Sequence, residues 1–149
     1  MTELVQLETE GVIATITLCR PDKGNALKPD MLATLERIGL ELRDNESVSA
    51  VLVRAEGKHF SVGMDIGGMA GVVAAGEEGD SSRPGSLIAA RSALEQGGRM
   101  MRALQEIPQP TICAVQGVAT GGGACIATAC DFRVAAADAQ MGYGEVRLG

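Results

Sequence analysis

The 149-residue chain has no tryptophan, one tyrosine (Tyr143), two phenylalanines (Phe60, Phe132) and a single histidine (His59). A nucleic-acid surface needs a basic stripe and stacking rings; here rings are scarce and the net charge is −6, so no nucleic acid is expected as partner. There is no run of about 18 apolar residues, and the opening MTELVQLETEG carries three Glu where a secretory leader is basic and then apolar. The expectation is a cytoplasmic protein with no membrane partner. The four cysteines (Cys19, Cys113, Cys125, Cys130) lie in apolar surroundings without Cys-x-x-Cys spacing. Neither a disulfide framework nor a metal site is indicated, and buried reduced thiols are the simpler reading.

What the chain does have is small and aliphatic: 46% hydrophobic residues, only 2% aromatic, and 20 glycines. The core must therefore pack backbone close to backbone. At this length about 70% of the unfolded surface can be buried, enough for one domain without staples.

Residues 3 to 8 and 12 to 18 read as two strands around Glu10-Gly11, a hairpin. RPDKGNALKPD is a turn-rich link, and its Pro29 suits the first turn of a helix that presents Met31, Leu35, Ile38 and Leu42 on one face. Ala50 to Ala55 is an apolar strand leading into GKHFSVGMDIGG. Residues 67–86, rich in glycine and acidic side chains, have too little periodicity for an element and are read as a mobile loop. A helix is expected from about Ser86 to Glu106, with Leu87, Leu94, Met101 and Leu104 on one side. A strand at Thr111 to Val115, a turn QGVAT, an Ala-rich helix ending at Ala129 and a strand DFRVAAA complete the order. Strands alternating with helices predict α/β architecture with crossover connections.

Two places combine a strand end with glycine: Phe60 to Asp65, and Thr120-Gly121-Gly122-Gly123-Ala124-Cys125. A triple glycine opening a helix leaves unpaired amide donors at the positive end of the helix dipole, unobstructed by side chains. The same three residues also fit a plain tight turn where a helix packs on a sheet. No Lys-Ser/Thr follows as in a phosphate loop, and there is no GxGxxG.

RPDKGNAL, HFSVGMDI and PTICAVQGVATGGGACIATACDFRVAAADAQMGYGEVRLG, in this order and spacing, resemble the crotonase superfamily of enoyl-CoA hydratases and isomerases. The resemblance covers essentially all of residues 1–149, as a single crotonase-like core lacking the C-terminal helices that cover the acyl pocket and build the trimer. It implies a spiral of repeated ββα units and homo-trimers or hexamers for the full-length form. The implied ligand is an acyl-CoA thioester, with coenzyme A part of the substrate and no separate cofactor. The backbone N–H groups of Met64 and Gly122 are implied as the oxyanion hole, and Lys23, Ala26, Met64, Asp65 and Ile66 as contacts to the CoA moiety. Family hydratases use two glutamates. Here the second is Glu145, but the first position is Cys125, and a thiol cannot hold water as a carboxylate does. A lone carboxylate implies double-bond isomerisation of a 3-enoyl-CoA in fatty acid metabolism, with Glu145 carrying the proton from C2 to C4. Hydration, acyl-CoA binding without chemistry, and an inactive truncated subunit are the alternatives. From the residues themselves, Asp65 and Asp131 read as structural carboxylates and His59 as a loop residue.

Overall fold

The computed structural model describes residues 3–65 and 84–144. Ile66, Glu145 and residues 67–83 of the Gly-rich segment lie outside the described residues. The strands are β1 (Val5–Glu10), β2 (Ile13–Leu18), β3 (Ala50–Ala55), β4 (Thr111–Val115), β5 (Val118–Thr120), β6 (Phe132–Ala135) and β7 (Gln140–Gly142). The helices are α1 (Pro29–Arg43), α2 (Pro84–Gln105) and α3 (Gly122–Ala129).

β1 and β2 form the antiparallel hairpin, in register from Val5 opposite Leu18 to Glu10 opposite Ile13. From β2 onward the main sheet is parallel, in the order β1-β2-β3-β4-β6. A second, smaller ladder pairs β5 with β7, also parallel. Single bridges extend it: Ser61 pairs with Ala119 and Met64 with Leu27. Each turn of the chain thus gives one strand to the main sheet, one short segment to the small ladder and then a helix, which is the expected spiral of ββα units.

The helical faces follow from apolar spacing. Met31, Leu32, Leu35, Ile38 and Leu42 on α1 are at most 1% exposed. They pack on the sheet through Ala14, Ile16, Val51 and Val53, which are equally dry. α1 and α2 approach so closely that a Cβ at Gly39 would stand 2.7 Å from the Ala103 carbonyl carbon. Small residues therefore set this helix spacing.

The sequence reading of α2 needs correction. Among the described residues the helix runs from Pro84, two positions before the expected start near Ser86, and proline loses nothing in a first helical turn. Its buried stripe is Met100, Ala103 and Leu104, continued by Ile107 just past its end, whereas Leu94 is 78% exposed. Before Met100 the described contacts of α2 with α1 are polar, Gln96 Nε2 donating to Pro29 O at 3.1 Å and Arg99 pairing with Glu36 at 3.1 Å, and Leu94 faces outward. The turn QGVAT is also more than a turn: Val118 to Thr120 form β5, and β7 follows. Both owe their form to partners distant in sequence. Along the far edge, Phe132, Val134, Met141 and Tyr143 are each more than half exposed.

Asp131 joins β4 to the start of β6. Its Oδ2 accepts from the Thr111 N–H at 2.8 Å and the Thr111 hydroxyl at 2.9 Å, while its own N–H donates to Thr111 Oγ1 at 2.8 Å. These donors, the backbone N–H foremost, hold the carboxyl below the usual carboxylate range. Cys19, Cys113 and Cys130 are buried free thiols, and a hydrogen bond with Cys130, together with burial, pushes the Cys113 thiol up. The folded chain binds the Asp131 proton less readily than the unfolded chain does. Its contribution is therefore complete at neutral pH and is lost as pH falls through the lowered folded value. Asp131→Asn should be less stable at neutral pH and lose less stability towards about pH 3, as read by urea denaturation at a series of pH values.

Candidate active site

The site is built by the turn-rich link between β2 and α1. A short 3-10 turn at Pro21–Lys23 leaves Lys23 exposed, and the next residues, Asn25, Ala26 and Leu27, are buried. Asn25 sits at φ 54°, in the left-handed region that Asn tolerates better than most residues. Its side chain accepts from the Arg20 N–H at 2.8 Å and donates to the carbonyls of Glu56 and His59, each at 2.8 Å. A fully buried amide with its oxygen and both N–H groups in use pins the link to the loop that leaves β3.

The two segments then run side by side. The Val62 N–H donates to the Gly24 carbonyl, Leu27 N–H to Gly63 O at 2.8 Å, and Asp65 N–H to Leu27 O at 2.9 Å. Ser61 Oγ donates to Asn25 O and accepts from the Gly63 N–H. Phe60 and Ser61 donate to the carbonyls of Gln116 and Val118. From Phe60 to Asp65, the Met64 N–H is the amide that meets no acceptor among the described residues. The parallel bridge to Leu27 uses the groups on either side of Met64, which turns this N–H to the opposite side.

Gly122 offers the second amide. On one side the Gly121 N–H donates to Gly142 O, and the first helical bond of α3 runs from the Cys125 N–H to Gly121 O at 2.9 Å. The Gly122 N–H lies between them, in the first turn of the helix where amides lack intrahelical partners, and it meets no acceptor among the described residues. The two segments touch: a Cβ at Gly63 would lie 3.7 Å from the Gly122 nitrogen, and one at Gly122 would lie 3.6 Å from Met64 Sδ. Gly121, at φ 52° and ψ −122°, occupies a conformation closed to other residues. Gly123 is required by closeness, since a Cβ there would stand 2.6 Å from the Ser61 carbonyl oxygen.

The structure therefore brings Ala26, Met64, Asp65 and Gly122 together, with Lys23 on the exposed rim of the same link. Ile66 and Glu145 lie outside the described residues. Gly144 comes close to the segment before the glycine run: a Cβ there would stand 3.5 Å from Thr120 Oγ1. An open hollow of about 290 Å³ runs along this edge, lined by Val118, Thr120, Met141, Tyr143 and Gly144 among others. Cys125 is half-buried on α3.

Two residues not singled out from the sequence prove central: Asn25 and Arg20. Arg20 Nη1 donates to Asp65 Oδ2 at 2.7 Å and to Ala26 O at 2.8 Å, with the two charged side chains only 11% and 19% exposed. The signal for Asn25 was its place after Gly24 in a turn; for Arg20 there was none, because its partner is 45 residues away. His59 has a structural use, accepting the Val118 N–H at Nδ1 (3.2 Å).

The fold is that of the crotonase superfamily. The chain belongs to the enoyl-CoA hydratase/isomerase family, whose description it matches over residues 8–149. It is 35% identical to the short-chain-enoyl-CoA hydratase of Clostridium acetobutylicum, across 97% of this chain and 51% of that protein. It is 27% identical to the peroxisomal Delta(3,5)-Delta(2,4)-dienoyl-CoA isomerase of Arabidopsis thaliana, across 98% of this chain and 52% of that one. The solved structure of Pseudomonas aeruginosa AtuE aligns with a TM-score of 0.85 at 36% identity, covering 99% of this chain and 53% of that chain. The chain spans about half the length of the curated relatives it matches.

The steric contrast within the glycine run is testable. Gly123→Ala drives a methyl into main chain and should cost about 1–3 kcal/mol. Gly122→Ala crowds the end of the Leu27 side chain, whose Cδ1 lies 2.9 Å from the added carbon, with Met64 at ordinary contact distance, and should cost less. Chemical denaturation of the two variants side by side reads the difference.

Proposed function

We propose that the Met64 and Gly122 amides form an oxyanion hole for an acyl-CoA thioester, and that the chemistry is movement of the double bond of an enoyl-CoA. The observation that carries this reading is a pair of outward amides, without acceptors among the described residues, on two touching segments. A thioester α-proton is too weakly acidic for a carboxylate to remove unless the charge gathering on the carbonyl oxygen is stabilised as it forms. Two aimed N–H donors do this, each worth about 3 kcal/mol in a dry site.

Glu145 is the proton carrier in this proposal. It takes the proton from C2 of a 3-enoyl-CoA and returns it at C4, while the dienolate oxygen rests between the two amides. Cys125 supports isomerisation over hydration, because the family resemblance puts the first glutamate of hydratases at this position and the residue here carries a thiol. Lys23, Ala26, Asp65 and Ile66 are proposed contacts for the CoA portion. Ala26 O and Asp65 Oδ2 both accept from Arg20, which ties these two proposed contacts to one cation. A homo-trimer or hexamer belongs to the same proposal. Hydration is the second reading, favoured by relatives named hydratases at 30–35% identity against 26–27% for those named dienoyl-CoA isomerases.

Parallel assays with 3-enoyl-CoA and 2-enoyl-CoA separate the two. Isomerisation should dominate, and Glu145→Gln should lower it by roughly 10²–10⁴-fold; unchanged turnover removes Glu145 from the chemistry. Cys125→Glu supplies a second carboxylate and should raise hydration of 2-enoyl-CoA relative to isomerisation, followed by loss of enoyl absorbance.

A further inference from the structure

We infer that Arg20 is a positioning residue that aims and polarises the Met64 N–H through a relay of two peptide groups. This rests on the oxyanion role proposed above. Arg20 Nη1 donates to the Ala26 carbonyl at 2.8 Å. That carbonyl belongs to the same planar peptide as the Leu27 N–H, which points the other way because the bond is trans. The Leu27 N–H donates to Gly63 O at 2.8 Å, and Gly63 O in turn shares its peptide plane with the Met64 N–H. A guanidinium, two peptide groups and the outgoing amide therefore form one continuous hydrogen-bonded chain.

Two consequences follow. The plane that carries the Met64 N–H is fixed from behind, so the donor needs no reorganisation when charge develops in front of it. The cation at the carbonyl end also polarises each bond along the chain, and this strengthens the last donor in a dry setting. The second hydrogen of Nη1 goes to Asp65 Oδ2 at 2.7 Å, which holds the guanidinium in place. The side chains are 11% and 19% exposed, so solvent screens the head of the relay only weakly.

The test compares the intact chain with Arg20→Gln, Arg20→Lys and Asp65→Asn, using a conjugated 2,4-dienoyl-CoA as probe. Polarisation of its thioester carbonyl appears as a red shift of the bound chromophore. Arg20→Gln should lose half or more of that shift and lower kcat by roughly 10–100-fold with KM nearly unchanged. Arg20→Lys, which keeps the charge but not the fork, should recover part of both. Asp65→Asn, which leaves Arg20 present but less firmly held, should move both in the same direction by less. It remains informative if Arg20→Gln fails to fold. The amide resonance of Met64 in the ligand-free protein gives an independent reading. It should move upfield in Arg20→Gln while that of Gly122 stays in place. A full red shift and an unmoved Met64 resonance in Arg20→Gln overturn the relay and leave the proposed function standing. An intact chain that does not bind the probe, with a Met64 resonance that moves as expected, overturns the function and leaves the relay standing.

Discussion

The Leu27 N–H to Gly63 carbonyl hydrogen bond is the contact on which the rest of the candidate site depends. It joins the link after β2 to the loop after β3, two stretches with little secondary structure of their own. By fixing one peptide plane it also decides which way the Met64 N–H faces. Most loop amides satisfy themselves within the loop or with solvent. Here the bonds on either side of Met64 hold the backbone in a nearly strand-like path, and the amide between them is left pointing outward. A donor held in this way costs no reorganisation when a negative charge arrives, which a flexible side chain could not match.

The three glycines answer different demands: a conformation closed to others at Gly121, close approach of the Leu27 and Met64 side chains at Gly122, and contact with the Ser61 backbone at Gly123. Polar side chains act one step back. Asn25 anchors the link, Ser61 bridges it to the loop, and the Arg20–Asp65 pair ties the ends together where water is largely excluded. An ion pair this buried is weak evidence for net stability, because desolvation offsets much of the attraction. Geometric control is the better account of why it is there.

Much of the architecture was legible beforehand. The hairpin, α1, β3 and β4 were expected at or close to their observed bounds, because alternation and helical spacing are local signals. β5 and β7 were not foreseen, since three-residue strands are defined by their partners and not by their own composition. Leu94 misled for a related reason: a helix has apolar spacing wherever leucines fall, but only its contact with α1 decides which stripe is dry. At the site, the sequence marked both glycine-bearing bends, while Arg20 carried no mark because its significance lies in a carboxylate far along the chain.

The sequence by itself determined the class of fold, the small-residue core and the two segments where outward amides could occur. These depend on local backbone preferences and on the order of motifs, which are present before folding. Tertiary structure alone decided that the two amides belong to touching segments, that Asn25 and Arg20 anchor the link beside Met64, and that neither amide meets an acceptor among the described residues. Those properties are relations between residues tens of positions apart. A hydrogen bond acquires its direction only when the backbone on both sides of it has been fixed.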